Sequence, residues 1–325
     1  MKSLIRFCII AFALSVTVSA KAWGPANPIK VIVGQSIGGG NEYALRGIAP
    51  TIEKANSNIT FVVDHHPGAD NVVALNFFAK QKPDGQTILV VNQETGFVAA
   101  PVAYRNQLQV DPMDFTFVTT IARAPMAFIV PENSPIKTVP QLIAFLQDKN
   151  NKFNIGISGS VNLLTYHYFI NKIGVDRQRV QSIPYQSPMA ASIDVAGGKL
   201  DMAIVPISIP RSLIEAKKIR LLGHTGSVPV RGIETVTLMK TYVPGFEINA
   251  SWSVFLPPNT PPEITKWYVD QFQLASTKSD PKEYFRAGWA VIDPTAQGPA
   301  GLSASIYRLK KNWYRLAEET LKEEK

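Results

Sequence analysis

An α/β fold in two units is predicted from three observations. Short apolar runs of strand character alternate with stretches of helical period along the chain. The residues from Trp23 to Lys325 are many for one hydrophobic core and comfortable for two. No repeat or low-complexity segment interrupts the alternation.

In chain order, Ile29–Val33, Thr60–Val63, Thr87–Val91, Phe115–Ile121 and Ala127–Val130 read as strands, being apolar and rich in β-branched residues. Between them Asn41–Lys54 and Asn71–Lys80 read as helices, and Lys82-Pro83-Asp84-Gly85 is a turn by its chemistry. A second block opens near Ile129. There Thr138–Asp148 and Asn162–Lys172 read as helices, the latter capped by Asn162 and stopped at Gly174. Met189–Ala196, the turn Gly197-Gly198, the strand Met202–Val205, a helix near Arg211–Ala216 and the strand Ile219–His224 follow. The last third carries a strand at Trp252–Leu256, breaks at Pro257-Pro258, and closes with helices at Pro262–Ala275 and from Gly301 onward.

The first twenty-two residues have the layout of a cleavable secretory leader. Lys2 and Arg6 precede an apolar run from Phe7 to Val18, and Ala20-Lys21-Ala22 supplies the small-x-small cleavage pattern. The run is too short to span a bilayer, so the mature chain is expected to begin at Trp23, outside the cytoplasm. The one cysteine, Cys8, lies inside the leader, which excludes disulfides and thiol catalysis in the mature chain. The formal charge of +8 falls by three with Lys2, Arg6 and Lys21. No block of basic residues interleaved with aromatics remains, so no nucleic-acid partner is expected.

The most informative stretch is residues 31–46, where a strand runs through Gly38, Gly39 and Gly40 into a helix near Asn41. Glycines let backbone N–H groups approach a ligand closely, and a helix start offers unpaired N–H groups and a favourable dipole. The pattern fits an anion cradle, and equally a plain connection. The spacing matches neither G-x-G-x-x-G nor a P-loop. Asn154 to Asn162 repeats the logic with Gly159 and Ser160, either as a second cradle across a cleft or as a tight loop.

Several motifs, in order, carry a family resemblance. Gly38-Gly39 is followed by an acidic residue and Arg46, then Ala49-Pro50. Next come Pro67-Gly68-Ala69 and Lys82-Pro83-Asp84-Gly85. Pro184-Tyr185, Asp194, Gly197-Gly198 and Asp201 follow, then Pro244-Gly245-Phe246-Glu247 with Ser251-Trp252 and Pro257. In these the chain resembles the Bug family of extracytoplasmic solute receptors, the binding proteins of tripartite tricarboxylate transport systems, over nearly its whole mature length. The resemblance implies a type II periplasmic-binding-protein fold, two α/β lobes joined by crossover strands. It places lobe 1 at residues 23–122 plus 247–325 and lobe 2 at 123–246. It further implies a small carboxylate ligand, held by Ile37, Gly38, Gly39, Gly40 and Asn41 on the first loop and by Gly159, Ser160, Val161 and Asn162 on the second. Membrane subunits of a tripartite tricarboxylate-type transporter, or a sensor protein, are the implied partners of a monomeric receptor without cofactor. The chain departs from the family pattern in several places. Gly40-Asn41-Glu42 replaces Ser-Thr-Asp, and Asp70-Asn71-Val72 replaces Gly-Gly-Asn. His66 stands for an arginine and Thr165 for a frequent histidine. Val205 occupies the position of an aspartate that would pair with a ligand ammonium, which disfavours amino acids, while Glu94 on the loop after Val91 keeps that question open.

Other chemistries are weighed on single residues. The four histidines lack metal-ligand spacing, so no metal site is expected. Ser158 in Gly156-Ile-Ser158-Gly159-Ser160 misses the G-x-S-x-G pattern by one residue. A secreted hydrolase acting on a carboxylate-bearing substrate is the alternative to a non-enzymatic receptor, and it requires an orienting histidine and acid.

Overall fold

The computed structural model describes residues 23–321 except 27, 177, 179 and 288. The leader expected at 1–22 lies outside the described residues. The described residues form ten strands: β1 (Ile29–Val33), β2 (Phe61–His65), β3 (Thr87–Asn92), β4 (Thr116–Pro131), β5 (Phe153–Ile157), β6 (Val180–Pro184), β7 (Met202–Pro206), β8 (Ile219–His224), β9 (Thr237–Leu238) and β10 (Asn249–Leu256). The helices are α1 (Gly40–Arg46), α2 (Ala49–Ala55), α3 (Val72–Phe78), α4 (Ala100–Ala103), α5 (Val139–Gln147), α6 (Ser160–Lys172), α7 (Pro188–Ala196), α8 (Arg211–Glu215), α9 (Pro262–Thr277), α10 (Ser279–Ala287) and α11 (Gly298–Leu321).

Two sheets share one strand. The first has the order β2-β1-β3-β10-β4, with β1 parallel to β2 and β3, and β10 antiparallel to β3 and β4. The second runs β6-β5-β7-β4-β8-β9, with β5 parallel to β6 and β7 and β4 antiparallel to β7 and β8. Strand β4 pairs with β10 up to Pro125 and with β7 and β8 from Met126 onward, so it crosses from one lobe into the other. This is a two-lobe α/β fold. The strands expected at 115–121 and 127–130 are one continuous strand. Ala122, Arg123 and Ala124 hide its continuity in the sequence. Pro125 breaks nothing because it sits where the pairing changes hands and no ladder N–H is required of it, while its carbonyl accepts from Ile207 at 2.9 Å.

Two further expectations are corrected. The helix read as 41–54 is two helices, because Pro50 in the first turn of α2 cannot continue a preceding helix, and Gly47 at the break lies against Phe285, 2.5 Å from where its Cβ would be. Helix α6 starts at Ser160, not after a cap at Asn162. Gly159 turns the chain with φ +82° just before it, and Asn162 lies inside the first turn. The sequence reading also passed over β6, the π-helical turn Thr95–Ala99 and α10.

The motifs of the second lobe hold the fold. Tyr185 donates to Asp194 at 2.8 Å, Asp201 accepts from the Asn154 N–H at 2.7 Å, and Gly198 turns with φ +73°. Phe246 stacks on Tyr168, centroids 5.3 Å apart, and packs on Phe128 and Phe169. Helix α11 packs against β4, α4 and α6, tying both lobes together.

Candidate functional site

All the elements of the site leave the carboxyl ends of strands, where open α/β sheets bind ligands. The first loop leaves β1. Gly38 turns with φ +81°, and Gly39 begins the entry into α1. Three of the amides there are already engaged. Gly38 N–H donates to Glu42 Oε2 at 3.0 Å, Gly39 N–H to the Ser36 carbonyl at 3.1 Å, and Asn41 N–H to Gln35 Oε1 at 3.1 Å. Arg46 donates to the other oxygen of Glu42, Oε1, and His65 Nε2 stands 3.8 Å from Oε2. Burial opposes ionisation of Glu42, but the bond from Gly38 with Arg46 and His65 outweighs it and holds the carboxyl below its usual range. Ile37 projects into solvent at 77% exposure. Gly40 lies flat on Trp252, whose Cζ2 is 2.7 Å from where a Cβ would stand.

The second loop leaves β5. Ser160 donates to Asp70 Oδ2 through its N–H at 2.9 Å and also through its hydroxyl. Asp70 belongs to the turn after β2, in which Ala69, Asp70 and Asn71 all have left-handed backbone, φ 43°, 50° and 77°. Left-handed backbone costs about 1–2 kcal/mol for a residue such as Ala69 and less for Asn or Asp. The turn is pinned on the other side, where Asn41 Nδ2 donates to Asn71 Oδ1 at 3.2 Å and Gly34 leaves room for the Asn71 side chain. Two hydrogen-bonded steps therefore join the first loop to the second. Burial raises the pKa of Asp70 against the bonds from Ser160, and no cation lies in ion-pair reach of it among the described residues. Val161 is buried facing Glu94, Ile248 and Trp313. Asn162 donates to Ser158 Oγ at 2.8 Å, an amide where a nucleophilic serine needs a base.

Val205 lies near the carboxyl end of β7. It is fully buried in β7 opposite Ala127, and the turn that follows carries the polar group, Ser208. Tyr43 from α1 reaches toward Ser208 without hydrogen-bond geometry. The hydroxyls of both, and Asn41 Oδ1, are buried without a protein partner. Such atoms call for an occupant of the space beside them. Tyr43, Ser208, His65 and Asp70 were not singled out as ligand-site residues in the sequence, where nothing local marks them. His65 and His66 do diverge as adjacent residues on a strand must: His66 stacks on Phe77 and meets Asp64. A cavity of about 670 Å³ lined by Arg123, Val228, Arg231, Asn249, Lys282 and Trp289 shares no residue with either loop. Among the described residues no cluster of metal-ligating side chains forms, and no helix is long and apolar enough to cross a membrane.

Glu94, just past β3, is buried and accepts from the Ser251 N–H at 2.9 Å; burial pushes its pKa up to about 7. It binds its proton more tightly folded than unfolded, so its contribution is full below pH 4.5 and declines by about 3 kcal/mol as pH rises to 7. Buried His224 is lowered to about 4 and acts in the opposite sense, its contribution declining as pH falls below 6.5. Glu94→Gln removes the first slope only. Melting temperatures at pH 5 and 7.5 should show the variant gaining several degrees on the wild type at the higher pH. Parallel profiles would contradict the assignment.

Comparison with known proteins agrees with this architecture. The sequence profile described as "Tripartite tricarboxylate transporter family receptor" matches residues 45–305. The chain is 26% identical over 308 residues to a UPF0065 protein in the gbd 5' region of Cupriavidus necator, covering 93% of this chain and 86% of that one. Periplasmic binding protein BugD superposes with a TM-score of 0.82 at 21% identity, over 90% of this chain and 97% of its own. MatC of Rhodopseudomonas palustris with bound malate superposes with a TM-score of 0.80 at 20% identity, over 90% and 99%. At these identities the structural likeness speaks for the fold.

Proposed function

The chain belongs to the tripartite tricarboxylate transporter family of receptors, and we propose that it binds a small organic carboxylate in the interlobe cleft and presents it to membrane subunits of such a transporter or to a sensor. The two lobes are residues 23–122 plus 247–325, and 123–246; the change of partners along β4 at Pro125 supports this division. The leader directs the chain to the periplasm as a monomer that returns its ligand chemically unchanged.

The observation that carries the reading is the linkage of two glycine-bearing strand-to-helix turns through the turn after β2, with three buried polar atoms left unpartnered beside the first of them. A carboxylate at the first loop gains the helix start of α1, with Arg46 balancing Glu42. The malate bound in MatC is a small carboxylate of the same class. Closure of the lobes then removes the ligand from water.

Native mass spectrometry of protein purified from periplasm without refolding tests this. A single small acid should be retained and released intact on denaturation. Retention of a neutral sugar instead, or conversion of the added acid to a product, would contradict the reading.

A further inference from the structure

Resting on the carboxylate reading, we infer that Asp70 is a specificity-determining residue: its carboxylate fills the anion position at the start of α6, so the cleft takes acids with one carboxylate and rejects those with a second at the far end. Both donors that Ser160 offers, its N–H and its hydroxyl, go to Asp70 Oδ2. Its other oxygen, Oδ1, is 3.0 Å from where a Cβ of Gly159 would stand, so the carboxylate covers the mouth of the second loop. A ligand's second carboxylate would have to displace Asp70 or sit beside it with like charge.

Displacement is opposed by the turn itself. Asn71, next in the chain, is held by Asn41, and its side chain fills the space that the missing Cβ of Gly34 leaves. Asp70 is a fixed occupant of the loop and not a gate.

The charges of the two ends differ in the same sense. At the first loop the charge of Glu42 is offset by Arg46, with His65 beside the pair. At the second loop no cation among the described residues pairs with Asp70, and the hydrogen bonds from Ser160 and the helix start support it. One end of the cleft therefore tolerates an added anion and the other does not.

Calorimetry with chain-matched pairs, hexanoate against adipate and butyrate against succinate, tests the assignment. Wild-type protein should bind the monocarboxylate of the better pair at least tenfold more tightly than its dicarboxylate. Asp70→Gly suits the left-handed backbone and vacates the position. It should close that gap at least tenfold through a gain for the dicarboxylate. Asp70→Asn keeps the shape without the charge and should close part of it. Equal affinities in the wild type, or a ratio unchanged in both folded variants, would overturn the role of Asp70 alone. Silence from all four acids with folded protein would overturn this assignment; silence from aromatic carboxylates as well would overturn the carboxylate reading with it.

Discussion

Gly40→Val is expected to weaken ligand binding at least tenfold and to lower the melting temperature by several degrees. Gly40 is the first residue of α1 and rests on the indole of Trp252, with Cζ2 at 2.7 Å and Nε1 at 2.8 Å from the position a Cβ would take. The indole cannot yield, because Trp252 is 1% exposed and backed by Tyr43 at a centroid distance of 5.9 Å. Forcing methyl groups into such a site costs about 1–3 kcal/mol, and the strain is relieved by lifting the loop from Gln35 to Asn41. That displaces the helix start proposed to face the carboxylate, and a tenfold loss needs only about 1.4 kcal/mol. Gly198→Ala is the control. It sits at φ +73° with nothing within 4 Å of its Cβ position, in a turn remote from both loops. It should lose stability through backbone strain alone and keep its affinity, measured by calorimetry with the acid that copurifies. Equal affinity in Gly40→Val would remove the first loop from the site.

The central strands were legible because their residues are buried on both faces. β3 and β7 match their apolar runs to within a residue, since every side chain in them is buried. The crossover strand β4 was split because Arg123 and Pro125 look like interruptions. Arg123 instead pairs with Asp293 and Ser305, and Pro125 marks the change of lobe. The glycine loops could be found from strand-to-helix chemistry. Their internal satisfaction could not, because Glu42 accepting from Gly38 looks in sequence like any acid in a helix's first turn. Least legible was the contact from Asp70 to Ser160, which joins residues 90 apart. Only the folded chain places the turn after β2 at the mouth of the loop after β5. Val205 carries a related lesson, since a position taken from a family pattern holds a core side chain here while the polar group lies three residues on, at Ser208.

The most direct test of the receptor account is a melting-temperature screen with acids, amino acids and neutral sugars. A ligand that binds only the folded state stabilises it by about 2.7 kcal/mol at a hundredfold excess over Kd, which for a chain of this size is on the order of several degrees. The account predicts that the upward shift is confined mainly to aliphatic and aromatic carboxylates. A shift with neutral sugars and none with any carboxylate would contradict it.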